Sequence, residues 1–493
     1  MSSKKIHQAS ASFSFTLRVA LRQIMSIGAA VLFLVLFWWV FDSAQPSPSV
    51  LGPVASATSA AGQVRMNSSI PGSQVIKHVV IIFQENRAPD NLFQDPVLIQ
   101  EGADIQNYGL NTQGQKVPLQ PVPLADYWDL GHSHVSFVAM YDDGKMDGAN
   151  KIKQFCDPGH KCKKAPPNFQ YAYVQAQDVE PYFHMAEKYT FADRMFQTNE
   201  GPSYPAHQFV LAGTSAPTAT SNLFASEGPI GGPKPGLHTG CTGPPGQRVE
   251  LIKPTGVEDQ KMFPCFDHPT LGDLLDAQSL KWRFYSPALD DLDTAPNSIR
   301  HLRFGPDWKK DMVLGPQQIL TDVAKGKLAS VTWVIPTSPA SDHPGTNDGE
   351  GPSWVSSVVN AIGKSEFWSS TAIFITWDDW GGWYDHVAPK VISDGKSWGS
   401  GYVYGFRVPL VVVSPYAQAS YVSHVTHDFG SILKFTEEVF GLPSLGYADA
   451  YADDLADCFN FGQAPIEFRE IPAPIDSQFF VNDRRPLLPP DND

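Results

Sequence analysis

The chain has 493 residues, of which 42% are hydrophobic, 12% aromatic and 18% charged; this excludes a disordered polyelectrolyte and leaves enough apolar mass for a large core. Lys and Arg number 36 against 51 Asp and Glu, a formal net charge of −15, which argues against a general nucleic-acid binder because such proteins cluster basic residues against phosphates. Acidity does not exclude a phosphate-bearing substrate, since a bound metal supplies positive charge locally.

Lys4, Lys5, Arg18 and Arg22 precede an apolar run from Ile24 to Phe41. A basic flank before such a run places the N-terminus in the cytoplasm and translocates the chain downstream of the run. Residues 1–41 therefore read as a signal peptide or as an uncleaved membrane anchor. Asp42-Ser43-Ala44 matches a cleavage site poorly, and the better Ala55-Ser56-Ala57 lies far downstream. Either way the body is exported, to the periplasm or the extracellular space, and the anchor would tie it to the inner membrane. Residues 42–75, rich in Ser, Ala, Pro and Gly, read as a flexible linker.

From residue 76 the texture changes. His78–Phe83, Ser330–Ile335, Thr371–Thr376 and Pro409–Val413 are β-branched or aromatic runs, apolar on both faces, as in central strands of a parallel sheet. Thr270–Gln278 and Val355–Ile362 have helical periodicity. Strands alternating with helices predict an α/β fold with a mostly parallel central sheet flanked by helices. It spans residues 76–471, with a Gly/Pro-rich insertion at 216–265 and an irregular Pro-rich tail at 472–493. Export permits disulfides among Cys156, Cys162, Cys241, Cys265 and Cys458. The sequence-near pairings are Cys156 with Cys162 and Cys241 with Cys265, but spacing alone does not fix connectivity.

Four segments carry chemistry. Glu85 and Asn86 directly follow the first strand, at the sheet edge where open α/β folds bind ligands, and offer hard oxygen ligands to a divalent cation. Asp378 and Asp379 likewise follow a strand. Two adjacent carboxylates at such a place repel, and a cation removes that cost; Gly381-Gly382 just beyond lets the backbone turn tightly. Ser203 follows Gly201-Pro202 ahead of a helical stretch, where backbone N–H groups would hold a phosphate under attack. Read plainly, it is a helix N-cap. Metal coordination would make its hydroxyl a competent nucleophile. His132, His301 and His343 stand in polar, glycine-rich settings, suited to holding a phosphate oxygen or protonating a leaving group.

In order and number these pieces resemble the phosphoesterase family of bacterial phospholipases C and acid phosphatases, within the alkaline-phosphatase-like superfamily. The matching stretches are EN-R-x-x-D-x-x-F at 85–93, D-x-x-H with G-x-M-D-G at 129–148, GPSYP at 201–205, the W-x-I-P and DHP segment at 333–344, and TWDDWGGWYDHVAP at 376–389. Arg407-Val408-Pro409, Ser414-Pro415-Tyr416 and His427-Asp428-Phe429-Gly430-Ser431 continue it. The resemblance implies an alkaline-phosphatase-like sandwich. It also implies a divalent metal held by Glu85, Asn86, Asp378 and Asp379, and Ser203 as a nucleophile that also touches the metal. His132, His343 and His301 are then the phosphate-pocket histidines. Many family members have Thr at the nucleophile, Asn-Arg where Ala206-His207 stand, and Glu-His where Asp379-Trp380 stand, so His207 and Trp380 bear on substrate preference.

The activity so implied is a metal-dependent phosphoric ester hydrolase of phospholipase C type, working through a phosphoryl-serine on a phospholipid or other phosphate ester. An acid phosphatase on soluble monoesters is the alternative within enzymes, and a membrane-tethered binding protein with an inactive site the alternative outside them. Metal identity and oligomeric state stay open.

Overall fold

Strand β1, His78–Gln84, buries every residue but its first. Such burial requires cover on both faces, and the computed structural model, which describes residues 70–157, 160–162, 164–231, 238–390 and 404–491, supplies it. Seven further strands complete one sheet: β2 (Thr190–Ala192), β3 (Trp282–Ser286), β4 (Met312–Leu314), β5 (Val331–Val334), β6 (Thr371–Trp377), β7 (Leu410–Val413) and β8 (Tyr421–Ser423). Their order is β4-β3-β5-β1-β6-β7-β2-β8.

The sheet is mixed. From β4 through β6 every neighbouring pair is parallel, as is β2 with β8. β7 runs antiparallel to both its neighbours. The Pro409–Val413 run thus forms a buried strand, but not the parallel one expected. Burial on two faces follows from flanking helices and says nothing of direction.

Helix α1 is Ala176–Lys188, α2 Ser203–Ala212, α3 Leu271–Ala277, α4 Gly351–Gly363 and α5 Phe429–Phe440. Ile81 pairs with Trp333 and Phe374, so these three share one sheet face with Phe83. On that face Phe83 and Phe374 pack edge-on against Phe429 and Phe435 of α5, and Trp333 Nε1 donates to Val210 O of α2. On the other face Trp377 stacks edge-on against Tyr182 of α1. Helix α3 carries a capping box, Thr270 with Asp273, which explains its sharp start.

The insertion at 216–265 contains a three-stranded antiparallel sheet, Phe224–Ala225, Val249–Ile252 and Glu258–Met262. Cys241–Cys265 ties it down, Cys156 pairs with Cys162, and Cys458 is a buried free thiol. The tail read as irregular holds a short helix, Ser477–Asn482, capped by Asp476. The segment 1–41 and the linker up to residue 69 lie outside the described residues. Among the described residues no helix is long and apolar enough to cross a membrane.

Candidate active site

The parallel register of β1 and β6 builds the site. Gln84 pairs with Trp377, so the residues that follow each strand leave the sheet side by side. Asp378 N donates to Gln84 O (3.0 Å), and Asn86 N donates to Asp378 Oδ1 (3.0 Å). Two segments almost three hundred residues apart become one acidic corner. Asn86 holds φ at +51°, strained for a non-glycine residue. Gly381, at φ +64°, must lack a side chain, because a Cβ there would lie 2.3 Å from Asn86 O.

Ser203 is the first residue of α2, behind Pro202 as N-cap. The loop before it is held by Gln197 Nε2 and Asn199 Nδ2, each donating to Gly201 O at 3.0 Å. Its hydroxyl does not cap the helix; Oγ donates to Asp379 Oδ2 at 3.0 Å. Asn86 Nδ2 reaches Asp379 Oδ2 (3.1 Å), Ser203 Oγ (3.4 Å) and His132 Nε2 (3.3 Å). Turned over, the same amide would present its oxygen there as a cation ligand. The structure therefore brings Glu85, Asn86, Ser203, Asp378, Asp379 and His132 together, all buried, with His343 beside His132 at 6.0 Å between ring centroids.

His301 stands elsewhere. Its ring bridges Asp267 (2.6 Å) and Asp273 (3.1 Å), and the Asp273 hydrogen bond leads in raising it to about 9. Neither of these carboxylates belongs to the acidic corner around Ser203. A histidine in a polar, basic-flanked run carries no mark of which carboxylates the fold will bring to it.

Two residues not assigned as ligands from sequence complete the corner. His207 lies one helical turn beyond Ser203 on α2, and its Nε2 is 3.3 Å from Glu85 Oε1, 3.6 Å from Asp293 Oδ1 and 4.0 Å from Asp378 Oδ2. The i, i+4 spacing from the serine is the signal that finds it. Asp293, in an irregular stretch, had none. Burial lowers His207 to about 4. Burial, then the neighbouring carboxylates, push Glu85, Asp293 and Asp379 well above the usual carboxylate range.

Both carboxylate oxygens of Glu85 and of Asp293, Asp378 Oδ2 and both ring nitrogens of His207 are buried and lack hydrogen-bond partners among the described residues. Each such group left alone costs on the order of 1–3 kcal/mol. Ligand atoms of Glu85, His207 and Asp378 fall within 4.8 Å of one another. Oxygen and imidazole donors so crowded fit a divalent cation.

The remaining motif residues act as braces. Arg87 donates to Asp342 O through Nε (2.9 Å) and Nη2 (2.7 Å), joining the first segment to the DHP segment. Asp342 Oδ2 in turn accepts from Tyr182 Oη and Trp377 Nε1. Arg407 grips Asp385 bidentately at 2.8 and 2.9 Å, with Asp90 alongside at 3.4 Å. His386 Nδ1 also meets Asp90, at 2.7 Å. Removing one partner of such a buried pair costs about 3–5 kcal/mol.

The family model described as the Phosphoesterase family matches residues 76–443, a span that holds every residue of this corner, and the chain belongs to that family. It is 27% identical over 438 residues to the non-hemolytic phospholipase C of Pseudomonas aeruginosa, covering 80% of this chain and 59% of that one. The chain thus spans about three fifths of that relative's length. To phospholipase C A of Mycobacterium tuberculosis it is 24% identical over 439 residues, covering 80% of this chain and 79% of the relative. Among solved structures, a protein in the alkaline phosphatase superfamily from Vibrio parahaemolyticus is similar with a TM-score of 0.35 and 10% identity, over 78% of this chain and 72% of that one.

Proposed function

We propose that the chain is a metal-dependent phosphoric ester hydrolase of phospholipase C type that works through a phosphoryl-serine. The observation that carries this is the Ser203 hydroxyl at the head of a helix, hydrogen-bonded to Asp379 inside an acidic, cation-shaped corner. Glu85, Asn86, Asp378, Asp379 and Ser203 would hold the metal, with His207 beside them. When bound it would neutralise the acids, favour the serine alkoxide and offset charge on the phosphoryl oxygens.

The chain's own residues supply the rest. Asp379 orients the hydroxyl and is placed to take its proton. Ser203 Oγ attacks phosphorus in line with the departing oxygen. The backbone N–H groups of the first turn of α2 face the transferred group. His132 and His343 line the adjacent wall, where they meet phosphoryl or leaving-group oxygens. Water then cleaves the phosphoryl-serine and frees phosphate or a phosphomonoester. The named relatives are phospholipases C, which favours a phospholipid substrate. Export by the N-terminal segment would bring the catalytic domain to such substrates.

A substrate panel tests the reading: phosphatidylcholine vesicles, a chromogenic phosphodiester and a chromogenic phosphomonoester, each with metal-stripped and metal-restored protein. Lipid or diester hydrolysis only in the restored sample is expected. Monoester hydrolysis alone would make it a phosphatase, and no hydrolysis of any ester would leave a binding protein with an inactive site.

A further inference from the structure

One short helix beside the site is apolar nearly all the way round. His134–Tyr141 reads HVSFVAMY, and Ser133 caps its start. Its inner face packs on the site. His134 Nδ1 lies 2.8 Å from Glu200 O, and Phe137 meets Trp380 edge-on and Phe406 at 4.5 Å between ring centroids. The outer face carries Val135 and Val138, 70% and 50% exposed. A helix that is apolar on every side belongs within a core or against lipid. Here half of it faces water.

The neighbouring strands extend that face. Gln154–Cys156 pairs antiparallel with Trp128–Leu130, which leads through Gly131 to His132. Phe155 is 48% exposed. A Cβ on Gly131 would lie 3.4 Å from its ring and 3.1 Å from Ser136 Oγ, so Phe155 adjoins the helix next to Val135. Basic residues frame these three. Residues 151–164 hold five lysines against one acid, in a chain whose formal net charge is −15. Lys153 and Lys161 are exposed, and Lys153 stands two positions from Phe155 on extended chain, hence on the same side. The Cys156–Cys162 disulfide closes the loop that carries Lys161, and the ring of His160 stacks on Tyr127 at 3.7 Å. The acids nearby are engaged: Asp142 lies 3.0 Å from Lys145 and 3.8 Å from Lys151, and Asp157 lies 3.6 Å from His160.

We propose that Val135, Val138 and Phe155, framed by Lys153 and Lys161, form the face that seats the protein on an anionic phospholipid surface. Peripheral proteins bind in this way, with apolar side chains in the headgroup region and lysines at its level. Charge selects this occupant. The acidic remainder of the molecule is repelled by an anionic surface, so this face alone can approach, and the approach fixes the orientation. A second copy docked face to face would instead oppose the same lysines. Seated this way, the protein turns His132, three residues before Val135, and with it the Ser203 site, toward the headgroups. The inference rests on the phospholipase reading for what is hydrolysed there; the docking face itself stands on exposure and charge.

The test places a polarity-sensitive fluorophore at Val138→Cys in the full chain, and at Leu314→Cys as a control. Leu314 is 58% exposed and lies on the edge strand β4. The apolar run at 24–41 is common to every protein compared, so it does not distinguish the two positions. Emission from position 138 should shift to the blue on mixed phosphatidylglycerol and phosphatidylcholine vesicles, and stay unchanged on phosphatidylcholine alone. High salt, or Lys153→Glu with Lys161→Glu, should abolish the shift. Position 314 should not respond. Val135→Asp with Val138→Asp should cut hydrolysis of the mixed vesicles about 10-fold or more while leaving a soluble chromogenic phosphodiester unaffected. No shift at 138, an equal shift at 314, or an equal shift on phosphatidylcholine alone would overturn the proposal. A shift that grows with protein concentration in the absence of lipid would also overturn it, assigning the face to a second copy. If no ester is hydrolysed but position 138 alone still shifts on the mixed vesicles, the phospholipase reading fails and the docking face stands.

Discussion

Ser203 Oγ and Asp379 Oδ2 stand 3.0 Å apart, hydroxyl to carboxylate, although 176 residues separate them in the chain. A helix cap would have turned the hydroxyl toward the amides of its own first turn, and Pro202 occupies that position instead. The hydroxyl's partner is an acid at the end of another strand, so the hydroxyl does not cap its own helix.

Ser203→Ala is therefore expected to cut turnover on the order of 10³-fold or more, because it removes the route and not merely its efficiency. Melting should shift little, corresponding to less than about 1 kcal/mol, since no cap is lost. Ser203→Thr keeps a hydroxyl and should retain partial activity. Turnover per folded molecule, read beside thermal melting, checks all three proteins.

Chelation is expected to abolish activity and lower the melting temperature together, with divalent metal restoring both. The physical reason is the set of buried oxygens on Glu85, Asp293 and Asp378 that lack hydrogen-bond partners among the described residues, which a bound cation would satisfy. His207→Ala should weaken metal binding at least about 10-fold, as loss of an oriented ligand does. A titration of metal-free protein followed by calorimetry reads this; unchanged affinity would remove His207 from the corner's function.

Gly381→Ala places a Cβ against Asn86 O and asks alanine to adopt a positive φ. The expected cost is about 1–3 kcal/mol. Because Gly381 N also donates to Asp379 Oδ1 at 2.7 Å, activity should fall further than the loss of folded protein explains. Equal losses in the two measurements would mean that Gly381 supports only the fold.

Glu227 gives a pH test. Its Oε1 accepts from His134 N at 2.9 Å, and burial, with Glu258 nearby, raises its carboxyl from 4.5 to about 8. A group that holds its proton more tightly when folded contributes stability that is complete below the unfolded value. That stability is lost as the pH rises through the folded value. From about pH 4.5 to 8 the wild-type melting temperature should fall relative to that of Glu227→Gln. Parallel profiles across that window would contradict the assignment.

Much of the site was legible because its chemistry sits next to strong local signals. Glu85 and Asn86 follow a buried apolar run, as do Asp378 and Asp379, and Ser203 follows a Gly-Pro break before a helix. The strand runs themselves fell where expected, but the direction of Pro409–Val413 did not, since a doubly buried run looks the same either way. His207 was visible only once Ser203 had been placed at the head of a helix. Asp293 lies in an irregular, Pro-flanked stretch and reaches the corner through tertiary contacts that no periodicity reports. The expectation for His301 rested on local polarity and on the family resemblance, whereas its observed partners, Asp267 and Asp273, come from a neighbouring turn and helix.

The most direct measurement is a rapid acid quench of metal-loaded protein during turnover of a phosphate ester, followed by peptide mass mapping. The account predicts one added phosphoryl group on the peptide containing Ser203, present during turnover, absent without substrate and absent in Ser203→Ala. Steady turnover with no phosphoryl group on Ser203 at any quench time, together with full activity of Ser203→Ala, would contradict it and leave water as the direct attacking group.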